Sequence, residues 1–130
     1  MTAAPRIRLP NRRMQITDAV EWQGHTWMVS VGFTPDGRAL EAFVKGIKTG
    51  SSMDAIMDDA CVLLSLLLQA GYSAQALADH LGREGVDPFA PAASPLGLIA
   101  ITCAAMEAEV GAGIAQAHAM VSQAAGEAAP

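Results

Sequence analysis

One segment of the chain, Lys45-Gly46-Ile47-Lys48-Thr49-Gly50-Ser51-Ser52, has residue types that could bind an anion. It follows an alternating, strand-like stretch, and a helical pattern starts where it ends. Backbone N–H groups at a helix start, the positive end of the helix dipole and a nearby ammonium group together attract phosphate. The candidate anion-binding residues are therefore Lys45, Lys48, Thr49, Gly50, Ser51 and Ser52.

The same segment also has a purely structural explanation, a strand-to-helix turn with a capped start. It does not match the phosphate-binding P-loop, because Lys48 precedes Gly50 instead of following it. Asp54 also lies in the predicted first helical turn, where a carboxylate takes the donors and the field that a phosphate would use. Both interpretations remain open at this point.

Other chemistry-bearing residues are not grouped in sequence. Cys61 and Cys103 each have apolar neighbours and belong to no CxxC motif, so we predict two small buried hydrophobic side chains on packed helices. His25, His80 and His118 show no metal-binding spacing. The acidic trio Asp54, Asp58 and Asp59 is explained by the helix start on which it lies. We therefore predict no catalytic residues, no metal and no cofactor.

The first part of the chain has a period of two, which is typical of half-buried strands. Trp27, Val29, Val31 and Phe33 alternate with polar or small residues, and Leu40, Ala42 and Val44 repeat the pattern. Thr34-Pro35-Asp36-Gly37 lies between these two stretches and predicts a tight turn. A weaker strand, 16–22, precedes them through Gln23-Gly24-His25. The pattern predicts a three-stranded antiparallel meander.

After Gly50 the period changes to that of a helix. Ser51-Ser52-Met53-Asp54 predicts the start of a first helix and Gly71 its end. Its apolar residues nearly encircle it, so we expect it to be central and to contact both the sheet and other helices. Ser73 caps a short second helix that buries Leu77 and Leu81. Ser94-Pro95 begins a third helix, which Gly111 and Gly113 weaken before it frays near Gly126.

These elements predict an α+β fold, a three-stranded antiparallel meander followed by three helices packed on one face. We expect a flexible basic arm at 1–14, one domain over 15–125 and a frayed tail at 126–130. At 130 residues, 52% of them hydrophobic and 16% charged, the chain is long and apolar enough for one domain with its own core.

Charge is unevenly distributed along the chain. The arm holds four arginines and no acid, whereas the remaining residues hold four basic and all thirteen acidic side chains. A body this acidic repels a phosphate backbone, so we expect no nucleic-acid partner. The longest apolar stretches, 60–68 and 96–106, are shorter than a membrane span, and no secretory signal is evident. We expect a cytoplasmic protein with no membrane partner.

From about Leu9 to Leu98 the sequence resembles the TSCPD domain. This domain is a module at the C-terminal end of many vitamin B12-dependent (class II) ribonucleotide reductases, and it also occurs in small stand-alone proteins of the bacterial type. The resembling segments occur in the family's order. They are Leu9-Pro10-Asn11-Arg12-Arg13, Val29-Ser30-Val31-Gly32, Pro35-Asp36-Gly37-Arg38, Glu41-Ala42-Phe43-Val44, Gly46-Ile47-Lys48-Thr49-Gly50-Ser51, Asp58-Asp59-Ala60, Leu68-Gln69-Ala70-Gly71 and Ala93-Ser94-Pro95-Leu96-Gly97.

The resemblance implies a connection with deoxyribonucleotide synthesis rather than a reaction. The catalytic barrel of the reductases has no counterpart here, and neither the tail CxxC nor the Ser-Cys-Pro-Asp core of the family motif occurs in this chain. Two hypotheses follow. The first is a non-catalytic interaction module that forms a homo-oligomer and docks on a ribonucleotide reductase or another nucleotide-handling protein. The alternative is a small regulatory protein that binds a phosphorylated metabolite or nucleotide at the Lys45–Ser52 turn.

Overall fold

The computed structural model describes residues 14–46, 52–85 and 90–128. Three strands precede three helices, as the sequence predicts, and the fold is α+β. The elements are β1 (Gln15–Trp22), β2 (His25–Phe33), β3 (Ala39–Gly46), α1 (Ser52–Gln69), α2 (Ala74–His80) and α3 (Pro95–Ala128). The predicted limits of the basic arm, domain and tail remain predictions, and residues 1–13 of that arm lie outside the described residues.

The sheet is an antiparallel meander in the order β1-β2-β3. Gln23 and Gly24 join β1 to β2 with positive φ angles of 48° and 81°, as a two-residue hairpin turn requires. The predicted turn between β2 and β3 is confirmed, because the Gly37 N–H donates to the Thr34 carbonyl at 2.9 Å. A hydrogen bond from the Thr34 hydroxyl holds the pKa of the Asp36 carboxyl below its ordinary value.

One face of the sheet is covered by the helices and forms the core. Trp27, Val29, Val31 and Phe33 point into it and are at most 1% exposed, which confirms the predicted inward face of β2. Helices α1 and α3 supply the opposite side of the core with Met57, Cys61, Leu64, Leu68, Ile99, Cys103 and Met106. The other face of the sheet has no helix over it among the described elements.

Helix α1 lies along the outer edge of β3 and supplies hydrogen bonds that a fourth strand would otherwise supply. The Ser65 hydroxyl accepts from the Ala42 N–H at 2.9 Å and donates to the Ala42 carbonyl at 3.1 Å. One turn later the Gln69 side-chain amide donates to the Leu40 carbonyl at 3.1 Å. Both polar side chains are buried. This edge of the sheet is therefore closed to a further strand.

Replacing Ser65 with Ala removes the hydroxyl and adds no atom to the side chain. We expect the free energy of unfolding to fall by about 1–3 kcal/mol, because the buried Ala42 N–H and carbonyl lose these hydrogen bonds. Urea denaturation followed by circular dichroism measures the change. Ser122→Ala is a control, since Ser122 is exposed on α3. Equal effects of the two substitutions would contradict this role of Ser65.

The end of α1 is closed by hydrogen bonds from two sources. Gly71 has a φ of 115°, and the Tyr72 and Gly71 N–H groups donate to the Leu67 and Leu68 carbonyls, which forms a Schellman motif. The Arg38 guanidinium, from the start of β3, donates to the Leu68 carbonyl at 3.1 Å. A cation at the negative end of the helix dipole stabilises this junction. These hydrogen bonds thus fix the position of α1 relative to the β2–β3 hairpin.

Helix α2 packs on α3, and its buried residues are Ala74 and Ala78. Leu77 and Leu81, which we expected to be buried, are only partly buried. The predicted caps are confirmed, because the Ser73 hydroxyl accepts from the Ala76 N–H and the Ser94 hydroxyl accepts from the Gly97 N–H, each at 3.0 Å.

Helix α3 is continuous over 34 residues and passes through Gly111 and Gly113 without a break. Its first half is packed in the core, and beyond Val110 the described side chains are exposed except for Ile114, which is partly buried. Residues Pro95–Gly126 are long and apolar enough to cross a membrane, since an 18-residue window within them has a mean hydropathy of 1.6, and 28% of that window is buried in the protein. We expected the apolar stretches to be too short for a span. The helix as a whole meets that length because alanine and glycine extend it.

Candidate interaction surface

The structure describes two of the six candidate anion-binding residues. Lys45 is exposed near the end of β3, opposite Met28 of β2, and Ser52 is the exposed first residue of α1. Lys48, Thr49, Gly50 and Ser51 lie outside the described residues. The prediction of an anion site at this turn therefore stays a prediction.

The carboxylate of Asp54 lies between the start of α1 and the end of β3. Its Oδ1 accepts a hydrogen bond from the Trp27 indole at 3.2 Å. A Cβ atom added at Gly46 would overlap this carboxylate, so only glycine fits beside it. A negative charge is thus held at the first turn of α1, adjacent to the candidate anion-binding turn. The competition that the sequence predicts between Asp54 and an anion at this turn stays a prediction.

Helix α1 exposes a second apolar face on the side away from the core. Ile56 is 62% exposed and Leu63 is 63% exposed, and three further large aliphatic residues, Val62, Leu66 and Leu67, are at least 40% exposed. Helix α1 contacts both the sheet and α3, as expected, whereas this outer side contacts no other described helix. The reason is that α2 packs on α3 and not on α1, so no described element covers the outer side. Five exposed aliphatic side chains on four helical turns are unusual for a free surface.

A groove of about 450 Å³ lies between the edge of β3 and α1. Phe43 and Val44 line one wall, and Val62 and Leu66 line the other, so the groove is continuous with the exposed side of α1. Glu41 and Asp58 are its acidic residues. The described residues that line the groove include no lysine or arginine, so they offer no cation to an anionic ligand.

The face of the sheet that the helices leave uncovered is a second surface with exposed apolar groups. Phe43 is 49% exposed and Met28 is 39% exposed, and they lie on adjacent strands of this face. Thr17 and Ser30 face each other on the same surface, and their hydroxyl groups share a hydrogen bond of 2.7 Å. This surface is rigid because three paired strands support it.

Both cysteines are free thiols buried in the core, as the sequence predicts. Burial raises the pKa of Cys61 to about 12, with a further contribution from Asp58. Burial also raises the pKa of Cys103 to about 12, with contributions from Cys61 and Glu107. Because the thiolate is the reactive form, neither side chain is activated as a nucleophile or a metal ligand.

We expect both native thiols to resist alkylation by iodoacetamide at pH 8 until the protein unfolds. A pKa near 12 in place of 9.0 lowers the thiolate fraction by about a thousandfold. The raised values also stabilise the folded protein below pH 9, and this contribution is lost as the pH rises from 9 towards 12. Mass spectrometry of labelled protein, with and without urea, measures the effect. Rapid labelling of either thiol in native protein would contradict it.

The histidines occupy unrelated positions. His25 stacks on Trp27 with ring centroids 5.6 Å apart, and His80 Nδ1 lies 2.7 Å from the Ala76 carbonyl oxygen. His118 is on the exposed part of α3. Within 14–46, 52–85 and 90–128, no group of three or more His, Cys, Asp or Glu side chains is placed to bind a metal ion.

The residues that sequence reasoning missed are Ser65, Gln69 and Arg38, which hold α1 against the hairpin. The sequence contained a signal for the first two. They are four residues apart in an otherwise apolar helix, so they lie on one face, and buried polar groups on one face need a polar partner. An edge strand is such a partner.

Comparison with known proteins gives two matches. A family model of the TSCPD domain matches residues 3–117. A vitamin B12-dependent ribonucleotide reductase from Rhodopirellula baltica is 32% identical over 84 residues, which are 65% of this chain and 8% of the reductase. No solved structure matches the chain.

Proposed function

The chain belongs to the TSCPD domain family, and from this premise we propose that it is a non-catalytic interaction module of deoxyribonucleotide metabolism that self-associates and docks on a ribonucleotide reductase. The observation that carries the proposal is the exposed apolar side of α1, with Ile56 and Leu63 more than 60% exposed. Burial of such side chains against another protein is favourable by about 25 cal/mol per Å² of apolar surface.

The reductase partner is supported by the match to a short part of a much longer enzyme. The matched part is 8% of the R. baltica reductase, so it corresponds to one small module of that protein. A module of this kind can act on a catalytic subunit only through contact surfaces. Among the described residues, the outer side of α1 and the uncovered face of the sheet are two such surfaces, and they meet at the groove.

We assign the reductase contact to the uncovered sheet face. Phe43 projects from it as a half-exposed aromatic side chain beside Met28, and aromatic anchors on rigid supports dominate binding energies in protein interfaces. The groove next to Phe43, with a volume of about 450 Å³, adds a concave apolar surface at the edge of this contact. The remaining polar groups of the face, such as Thr17 and Ser30, form the rim.

Biolayer interferometry with a purified vitamin B12-dependent ribonucleotide reductase tests the assignment. We expect saturable binding that Phe43→Glu weakens by at least tenfold, because a charge replaces the anchor. Val121→Glu is the matched control, since Val121 is also exposed but lies on α3. Absence of binding by the unmodified chain, or equal loss with both variants, would contradict the reductase contact.

The alternative function, phosphate or nucleotide binding at the Lys45–Ser52 turn, has a distinct test. Calorimetric titration with nucleoside triphosphates would show binding that Lys48→Ala weakens. The Asp54 carboxylate adjacent to this turn makes the field less favourable for an anion. For this reason we place the interaction module first.

A further inference from the structure

We propose that the outer side of α1 is a two-fold interface in which the α1 helices of two copies of this chain pack antiparallel. The inference rests on the proposed function, since it identifies the surface and geometry of the self-association.

The outer side of α1 has the residue spacing of a coiled-coil seam. Apolar residues follow at intervals of three and four, namely Met53, Ile56, Ala60, Leu63, Leu67 and Ala70. Alternating intervals of this kind keep side chains on one stripe of a helix, where each can insert between residues of a facing helix. We call this set the outer seam. Ile56, Leu63, Leu67 and Ala70 in it are exposed, and Met53 and Ala60 are partly buried.

The core contact of α1 uses a separate seam of equal spacing. Met57, Cys61, Leu64 and Leu68 are buried against the sheet and α3. Apart from Met53, which packs against the core, the residues of the outer seam are therefore not part of the core of one copy. A helix with one seam filled and a second one open requires one more helix to complete its packing.

The distribution of charge favours a second copy in the antiparallel direction. All charged residues of α1 are acids in its first half, Asp54, Asp58 and Asp59, and 60–69 is uncharged. A parallel pair would bring both acidic halves and both positive dipole ends together, which is unfavourable. An antiparallel pair places the acidic half of each copy beside the uncharged half of the other.

Antiparallel packing also makes the seam complementary to itself. With the two-fold axis between residues 61 and 62, Ile56 faces Leu67 of the second copy, and Ala60 faces Leu63 of the second copy. Met53 likewise faces Ala70 at the ends, so the layers pair a large side chain with a small one, except where Ile56 faces Leu67. A surface that pairs with its own copy in this way is what a closed dimer requires.

The sheet edges do not offer an equivalent route to a dimer. Ser65 and Gln69 cap the edge of β3. At the other edge, β1 carries Asp18 opposite the fully buried Val29, on the side of the sheet that faces the helices. A charge on the inward side of an edge strand opposes strand addition by another chain.

Sedimentation velocity over a concentration series tests the interface with the full chain. We expect a dimer whose dissociation constant rises at least tenfold with Leu63→Lys. Lys at this position follows Asp59 by four residues, so the substitution is compatible with the helix. Met120→Lys is the matched control, because Met120 and Leu63 are both 63% exposed. A monomeric unmodified chain, or dissociation caused equally by both variants, would overturn the inference.

Disulfide cross-linking tests the direction of the helices without relying on dissociation. Ile56→Cys and Leu67→Cys proteins, mixed and mildly oxidised, should form a mixed cross-linked dimer faster than either protein alone. The native thiols contribute little, because both are buried with a pKa near 12. Faster self-cross-linking of Ile56→Cys would indicate parallel helices and overturn the proposal.

The outcome is separable from that of the proposed function. A chain that dimerises through the outer seam but binds no reductase removes the reductase contact and leaves this interface. A monomeric chain that binds the reductase removes this interface and leaves the reductase contact.

Discussion

Leu68→Ala is expected to lower the free energy of unfolding by about 2–5 kcal/mol, because the deleted atoms leave a cavity in the core. Leu68 is fully buried. Leu63→Ala, on the same helix, is expected to change the stability of the monomeric protein by about 0.5 kcal/mol or less, since surface substitutions rarely do more. Urea denaturation at low protein concentration measures both values.

The dependence of stability on protein concentration also distinguishes Leu63→Ala from Leu68→Ala. If the outer seam holds a dimer, association stabilises the folded state and the effect of Leu63→Ala grows as the concentration rises. The loss of stability caused by Leu68→Ala comes from a cavity in the core, and this cavity is the same at every protein concentration. A Leu63→Ala effect that is small and constant up to high concentration would contradict the outer-seam interface, and a small Leu68→Ala effect would contradict the described core.

The order of the elements could be predicted because each depends on local rules. Alternation places Val29 and Val31 on one side of β2 whatever surrounds the strand, since successive side chains point to opposite faces. Gly24 and Gly37 adopt the positive φ angles that their turns require. Ser73 and Ser94 cap the helices that follow them by direct hydrogen bonds to the next turn.

Which side of α1 is buried could not be predicted from its apolar residues. The buried and outer seams have the same intervals of four and three, and both contain large aliphatic side chains. The difference lies in the polar residues beside the buried seam, Ser65 and Gln69, whose partners are backbone groups of β3. Those partners are distant in sequence, so only the packed structure identifies them.

The length of α3, which was expected to fray near Gly126, could be predicted for a different reason. Glycine within a helix costs about 1 kcal/mol relative to alanine, but it keeps the backbone hydrogen bonds that proline would remove. Gly111 and Gly113 therefore weaken the helix without ending it, and the structure continues to Ala128. The contact of Val110 and Ile114 with the turn at Gly37 supports the helix at this point.

The candidate anion site could not be predicted from residue types alone. Its residue types are those of a phosphate-binding turn, yet a binding site depends on where the backbone N–H groups point. The described neighbours are Gly46 and Asp54, and they bring a carboxylate to the start of α1. The sequence could place Asp54 in the first turn, but not its contact with Trp27 of β2.

Gly37→Ala is expected to lower the free energy of unfolding by about 2–4 kcal/mol, which combines backbone strain with overpacking. The residue has a φ of 90°, and an added Cβ would lie 2.8 Å from Ile114 Cδ1 and 3.2 Å from Val110 Cγ1 of α3. Gly24→Ala isolates the strain, because Gly24 has a φ of 81° and no atom within 4 Å of an added Cβ.

We expect Gly24→Ala to cost only about 1–2 kcal/mol. Thermal and urea unfolding of the two variants, compared with the unmodified chain, measure the difference, which is the contribution of the contact between the hairpin and α3. Equal losses would show that Ile114 and Val110 yield freely to the added methyl group. In that case the hairpin turn does not brace the middle of α3, and the stability of the long helix must come from its buried first half.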